Sequence, residues 1–302
     1  MSLWIPVTIF AAFMQNLRFM LQRHLKVTTL STAGATYARF AFSLPLIALG
    51  LGVYFATTGT ALPRLGGAFW PYILVGGLAQ IVATACVVAL FAERNFAVGI
   101  ALKKSEVILT AVIGLIILGE AVTWGGVIAI AIGFLGVMAL SDPPKGEVAL
   151  PWSARLFNKA SGFGLAAGLL FGVSAVGYRG ATLEVASDLP FLRALVTLGV
   201  AIAWQVLVMT LWLLWQDRAE IARVAASWRV SVWTGLTSML GSLGWFWAFT
   251  LQNAAYVKAL GQIELLFTFA GSYFVFKERS SAREIIGAGL IVTSILWLIA
   301  AL

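Results

Sequence analysis

Ten apolar runs, each long enough to form a membrane-crossing helix, follow one another through this chain with short polar breaks between them. They fall at about 3–22, 33–56, 68–90, 96–118, 121–140, 160–183, 190–215, 230–250, 255–276 and 284–302. About 20 apolar residues cross the hydrocarbon core of a bilayer. Inside it every backbone N–H and C=O must find a partner within the protein, so runs of this kind become helices. Charged residues make up only 11% of the 302 positions and hydrophobic ones 61%, against about 25% charged in an ordinary soluble domain. The sequence therefore describes an all-α integral membrane protein, multi-pass in the cell's inner (plasma) membrane, surrounded by lipid and without room for a soluble domain.

The first run, Leu3 to about Leu21, has no basic segment before it and is interrupted by Gln15, Asn16 and Arg18. It is read as a retained helix and not as a secretory signal, and its polar stripe as the lining of a cavity. The single cysteine, Cys86, excludes an internal disulfide and reads as a buried, inert thiol. A net charge of +8 is scattered over short loops, with no basic run that would serve nucleic acid.

Two glutamates, Glu106 and Glu264, lie near the middle of the fourth and ninth runs, and each is followed fourteen residues later by another, Glu120 and Glu278. The same 158 residues separate both pairs (264−106 and 278−120). Ungapped alignment of 91–140 on 249–298 also superposes Phe91 on Phe249, Asn95 on Asn253, Ala101-Leu102 on Ala259-Leu260, and Thr110 on Thr268. The polar stretch 141–159, with Pro143, Pro144 and Pro151, divides the runs five and five. The chain thus reads as two five-helix repeats, 1–140 and 160–302, joined by a loop. Because five is odd, the second repeat crosses the membrane in the opposite sense, giving inverted repeats. A weaker echo pairs Arg39 with Arg193.

Basic residues in the loops are lopsided. One side, which also carries both termini, has only Arg64; the other has Arg23, Lys26, Arg94, Lys145, Arg155, Lys159, Arg218, Arg223, Arg229, Lys277, Arg279 and Arg283. By the positive-inside rule the second side is cytoplasmic and the termini are not.

An ionisable group at mid-membrane is costly and marks function by default. On a continuous fourth helix Lys103 lies one turn before Glu106 on the same face. The pair is either a neutral packing lock or part of a water-accessible site for a cation, an amine or a proton. The ninth run holds Lys258 and Gln262 at i,i+4, then Glu264, with Gly261 where the fourth run has Lys103. Glu264 is therefore the stronger candidate for a titrating group. Glu120 and Glu278 end their helices and suit the positive N-terminal end of the next one. Arg39, Arg179 and Arg193 are read as snorkelling to an interface. Trp212, Trp215, Trp228 and Trp233 flank the 216–229 loop as an interfacial belt. Trp245, Phe246, Trp247, Phe249 and Tyr256 form an aromatic wall near Glu264, by packing or for an aromatic or cationic solute. Gly164, Gly168 and Gly172, and Gly125, Ala129 and Gly133, mark faces where helices approach closely. The candidate site is thus Glu264, Glu106, Lys103, Gln262, Lys258, Tyr256, Trp245, Asn16 and Arg18.

With two five-helix repeats, Ser105-Glu106-Val107 running through Gly119-Glu120, and Ile263-Glu264-Leu265 running through Lys277-Glu278, the chain resembles the ten-helix EamA-type members of the drug/metabolite transporter superfamily. The resemblance covers nearly the whole chain. Both mid-helix glutamates lack the proline that often follows in that family. The resemblance implies a secondary transporter, often an exporter of amino acids or other small metabolites, with a central cavity between the repeats, alternating access and cytoplasmic termini.

The expected function is therefore transport of a small polar or amphipathic metabolite, an amino acid or a related zwitterion or amine, coupled to protons or another gradient. No cofactor, metal or nucleic-acid partner is expected, and a homodimer is open to it. A membrane-embedded lipid-modifying enzyme would need a catalytic cluster, and the only histidine, His24, has no acidic neighbour in its loop. A non-transporting scaffold would use the glutamates only as packing locks.

Overall fold

The computed structural model describes residues 2–93, 96–140, 158–267 and 282–302. Glu278 with its neighbours Lys277 and Arg279, Asn95, Thr268, the inter-repeat stretch 141–157 and the second half of the ninth run lie outside them. The described residues form thirteen helices: α1 (Trp4–Thr28), α2 (Thr32–Ala41), α3 (Leu44–Thr58), α4 (Phe69–Leu90), α5 (Phe96–Lys103), α6 (Glu106–Leu118), α7 (Trp124–Leu140), α8 (Lys159–Leu183), α9 (Pro190–Gln216), α10 (Arg218–Ala226), α11 (Trp228–Leu251), α12 (Ala254–Gly261) and α13 (Ala282–Ala300). Five stretches, Trp4–Thr28, Thr32–Thr58, Phe69–Leu90, Lys159–Leu183 and Pro190–Gln216, are long and apolar enough to cross a membrane. The chain is a helical membrane protein.

Three runs expected as continuous helices are interrupted. In the second, Pro45 supplies no N–H for the Ala41 carbonyl. The chain turns at Phe42 and Ser43, whose hydroxyl donates to the carbonyls of Arg39 (2.7 Å) and Gly235 (2.8 Å). The fourth and ninth runs break at matching positions, without proline in either. Lys104 N–H bonds Ala101 O (3.0 Å) and Ser105 N–H bonds Leu102 O (3.1 Å); Gln262 N–H bonds Ala259 O (3.2 Å) and Ile263 N–H bonds Leu260 O (3.1 Å). These i to i−3 bonds are single 3₁₀ turns, which overwind the helix locally. Consecutive helix positions point about 100° apart, so overwinding changes where successive side chains aim. At this turn Lys103 and Lys104 both face inward.

The packing follows the 158-residue offset. Helix α1 runs along α11, α4 along α8, and α7 along α13. Shifting α2–α3 by 158 residues reproduces the bounds of α9, shifting α5 gives those of α12, and shifting α4 gives α11 to within a few residues. The shift therefore exchanges the α4–α8 contact with the α11–α1 contact. Along α8 the small residues at four-residue spacing bring the fourth run close: a methyl group on Gly168 would meet the Ser105 hydroxyl at 2.7 Å and the Lys103 carbonyl at 3.0 Å. Gly125 and Gly133 on α7 face α13 in the same way, and the Ser294 hydroxyl donates to Ala129 O at 2.7 Å. Helix α6 ends on Gly119 at φ 68°, a left-handed cap that favours glycine.

The two ends of the bundle are tied by different means. At one, the 59–68 and 184–189 loops exchange Gly66 N–H to Glu184 O (2.8 Å) and Ala186 N–H to Arg64 O (2.9 Å). At the other, Glu220 on the short helix α10 is buried. Its carboxylate accepts from the N–H (2.8 Å) and hydroxyl (2.6 Å) of Ser31, the N-cap of α2, and from Arg223 Nε (2.6 Å). Burial opposes the charge on Glu220, but the Ser31 hydroxyl and N–H and then Arg223 more than offset it, holding the carboxyl below its usual range. A depressed carboxyl stabilises the fold above its unfolded pKa of about 4.3, and that contribution is lost as pH falls through the folded value. Glu220→Gln should therefore lower stability at pH 7 by about 1–3 kcal/mol. It should also flatten the loss of thermal stability between roughly pH 5 and pH 3, as measured by unfolding in detergent.

Candidate functional site

Both helix breaks open onto one buried ion cluster. The 3₁₀ turns end α5 and α12 and begin new helical segments at Glu106 and near Glu264. The lysines therefore sit at the negative C-terminal end of α5 and Glu106 at the positive N-terminal end of α6, each on its favourable side. Lys103, Lys104, Glu106, Lys258 and Glu264 are all buried. Lys104 bonds Glu264 directly, and Gln15 Nε2 donates to the same carboxylate at 2.7 Å. Lys103 Nζ lies 3.4 Å from Glu106 and 3.7 Å from Glu264, and Lys258 Nζ lies 3.8 Å from Glu106. Aromatic faces complete the shell: Phe19 and Phe171 lie 5.5 and 5.3 Å from Lys103 Nζ, and Trp245 lies 4.8 Å from Lys258 Nζ.

Two cavities flank this cluster. One, narrow, is lined by Gln15, Arg18, Arg39, Gln80, Ser174, Tyr178, Ser238, Ser242 and Lys258 beside Phe171, Trp245, Phe246 and Phe249. The other, roomier, is lined by Asn16, Phe19, Met20, Arg23, Val87, Phe91, Ile100, Lys103, Glu264 and Leu265. Lys258 belongs to the first wall, and Lys103 and Glu264 to the second, so the ion cluster is the partition between them.

The polar wall of the first cavity is made by residues from distant helices. Arg39, buried on α2, donates to the hydroxyls of Ser238 (2.9 Å) and Ser242 (3.4 Å) on α11 and Thr84 (2.9 Å) on α4. Tyr178 donates to Gln80 Oε1 (2.9 Å), and Gln205 Nε2 donates to Gln80 Oε1 (2.7 Å) and to the Tyr178 hydroxyl (3.0 Å). Beyond Tyr178, near the ends of α6, α8 and α11, Arg179 donates from Nε (3.0 Å) and NH2 (2.8 Å) to Glu120. It also donates to the carbonyls of Phe249 (2.5 Å) and Thr250 (3.0 Å).

Of the expected site residues, Glu264, Glu106, Lys103 and Lys258 come together in the cluster, Trp245 and Arg18 line the first cavity, and Asn16 lines the second. Two do not join them. The Tyr256 hydroxyl accepts from Thr123 N–H at 2.8 Å and so ties α12 to the α6–α7 connection. Gln262 faces α7, where a methyl on Gly133 would approach its Oε1 to 2.8 Å. The helix break sends it away from Lys258. The snorkelling reading fails for Arg39, which is buried among hydroxyls, whereas Arg193, partly exposed, donates to the last carbonyls of α8, Thr182 and Leu183, at 2.8 Å each. Cys86 is half-buried. Lys104 and Gln15, absent from the expected set, make the shortest contacts to Glu264. Gln15 carried a sequence signal, next to Asn16 in the polar stripe of α1.

No protein-family model and no curated protein matches the sequence. Among solved structures, one described only as "Crystal structure of protein" superposes with a TM-score of 0.71, covering 99% of this chain and 97% of that one at 12% identity. The likeness extends over the entire length and concerns the fold alone.

Removing one partner of a buried ion pair leaves the other charge uncompensated, at a cost of about 3–5 kcal/mol, whereas apolar replacement of both is often neutral. Glu264→Ala should therefore destabilise the protein by about that amount. Lys104→Met combined with Glu264→Leu should recover most of it, in thermal unfolding of the purified protein in one detergent. Equal losses in both variants would show that an uncompensated Lys104 charge is not the source of the loss.

Proposed function

We propose that this chain is a secondary transporter of the EamA type, moving a small polar or amphipathic metabolite across the inner membrane by alternating access. The observation that carries this reading is the buried ion cluster at two matching helix breaks, with a cavity on each side of it. Discontinuous helices in corresponding positions of two halves are the physical mark of a transporter site, because broken-helix ends supply charge-stabilising dipoles at membrane depth. The repeat offset, the exchange of helix contacts it produces and the resemblance to the drug/metabolite transporter superfamily support ten helices in two inverted repeats, 1–140 and 160–302.

In this mechanism the first cavity is the solute site, and two ties bound it. The Lys104–Glu264 contact with its neighbours closes the side toward the second cavity. The Arg179–Glu120 pair, reaching the Phe249 and Thr250 carbonyls, closes the opposite side. Rocking of the halves breaks one tie while the other holds. A carboxylate that loses its lysine in such a step while still shielded from bulk water favours its protonated form, and later opening to water releases the proton, which couples solute movement to a proton gradient.

Uptake by proteoliposomes tests the reading. A saturable solute flux should respond to an imposed pH gradient, and Glu264→Gln should lower it by at least about tenfold, the equivalent of one charge-assisted hydrogen bond. Wild-type flux from Glu264→Gln would remove Glu264 from the mechanism. Turnover of a lipid by the purified protein, with no solute flux, would make the chain an enzyme.

A further inference from the structure

The first cavity is electrically one-sided. Among the described residues Arg18, Arg39 and Lys258 line it and no carboxylate does. The wider buried centre holds five cations, Arg18, Arg39, Lys103, Lys104 and Lys258, against the two carboxylates Glu106 and Glu264. Glu264 is engaged by Lys104 and Gln15, and Glu106 lies nearest Lys103, leaving Lys258 at 3.8 Å. Arg39 spends its guanidinium on three hydroxyls. Arg18 does not: only 3% exposed, it rests over the Phe19 ring at 4.4 Å, and its Nε and one NH2 meet no acceptor among the described residues. The indole N–H of Trp245 is likewise buried without a partner.

Among the described residues the unpaired groups on this wall, on Arg18 and Trp245, are donors, while the unpaired Glu106 Oε2 lies behind it against Lys258. Buried guanidinium donors left without an acceptor cost free energy, and a planar fork of donors matches a carboxylate. An ammonium group would instead face three cations with no carboxylate on the wall. Around these donors stand the rings of Phe171, Tyr178, Phe246 and Phe249. We infer that the solute taken by this cavity is an organic anion, a carboxylate on an apolar or aromatic body, with its head held by Arg18 and the Trp245 N–H and its body against the rings. This deepens the transporter reading and rests on it, and it narrows the sequence-based expectation of an amino acid or a related zwitterion or amine to an anion.

The test uses three probes with one body and different heads: 3-phenylpropionate, phenylalanine and phenethylamine, titrated calorimetrically into the full chain in lipid nanodiscs. Saturable binding of 3-phenylpropionate is expected, with phenethylamine at least about tenfold weaker. Arg18→Gln should weaken the carboxylate by about tenfold or more. Trp245→Phe, which keeps an aromatic ring but removes the indole N–H together with the pyrrole ring, should weaken it severalfold in protein that still unfolds cooperatively, so the proposal does not depend on Arg18→Gln folding. Absence of saturable 3-phenylpropionate binding overturns the proposal. So does equal or tighter binding of phenethylamine or phenylalanine, or carboxylate affinity unchanged in the folded variants. Proteoliposome flux separates the two readings. Carboxylate binding without flux keeps the anion site and overturns transport; flux of phenethylamine in preference to the carboxylate keeps transport and overturns the anion site.

Discussion

Charge buried at membrane depth has to be compensated on the spot, and the architecture around Glu106 and Glu264 is arranged by that requirement. A lysine on a regular helix serves one direction; two adjacent lysines reach one centre here where α5 ends and the helix breaks at Lys104-Ser105. The break in turn needs room, which the small-residue face of α8 provides at Gly168. Helix ends are then presented to the charges they favour, Lys103 at the end of α5 and Glu106 at the start of α6. Cluster, breaks and glycine face stand or fall together.

Positions 158 residues apart share helix bounds among the described residues, and the Glu106 and Glu264 carboxylates, but not their cations. Lys103 and Lys104 correspond, 158 residues on, to Gly261 and Gln262, while Lys258 corresponds to Ile100. Equivalent carboxylates are thus served by lysines from non-equivalent places, two beside the first break and one a turn before the second. This asymmetry gives Glu264 the direct lysine contact and leaves Glu106 between two longer ones. It also makes the two faces of the cluster chemically different, one wall carrying Lys258 and the other Lys103 with Glu264.

Much of this was legible in the sequence because apolar length and residue offset are local properties. The runs that became α1, α4, α8, α9 and α11 stood out by length, the Glu106–Glu264 pair by its offset, and Lys103, Lys258, Trp245, Asn16 and Arg18 by nearness to polar interruptions. The break at Lys104-Ser105 was not legible, since no proline or glycine marks it and the contact it serves joins residues 160 positions apart. Arg39 was misread for the same reason: its three hydroxyl partners lie on α4 and α11, and no spacing within α2 announces them. Gln262 and Tyr256 had the right neighbours in sequence but face α7 and the α6–α7 connection: Gln262 lies in the overwound turn, and Tyr256, on the regular helix before it, reaches Thr123 instead.

The central claim is that two ties, Lys104–Glu264 on one side and Arg179–Glu120 on the other, bound a single cavity. Labelling one cysteine at Ser174→Cys, with Cys86 replaced by serine, by a small membrane-impermeant thiol reagent added from either face of oriented vesicles, tests it most directly. With both ties intact the label should react slowly from both faces. Glu120→Gln should speed labelling from one face only, and Glu264→Gln from the opposite face only. Acceleration from the same face in both variants, or in neither, would contradict the account.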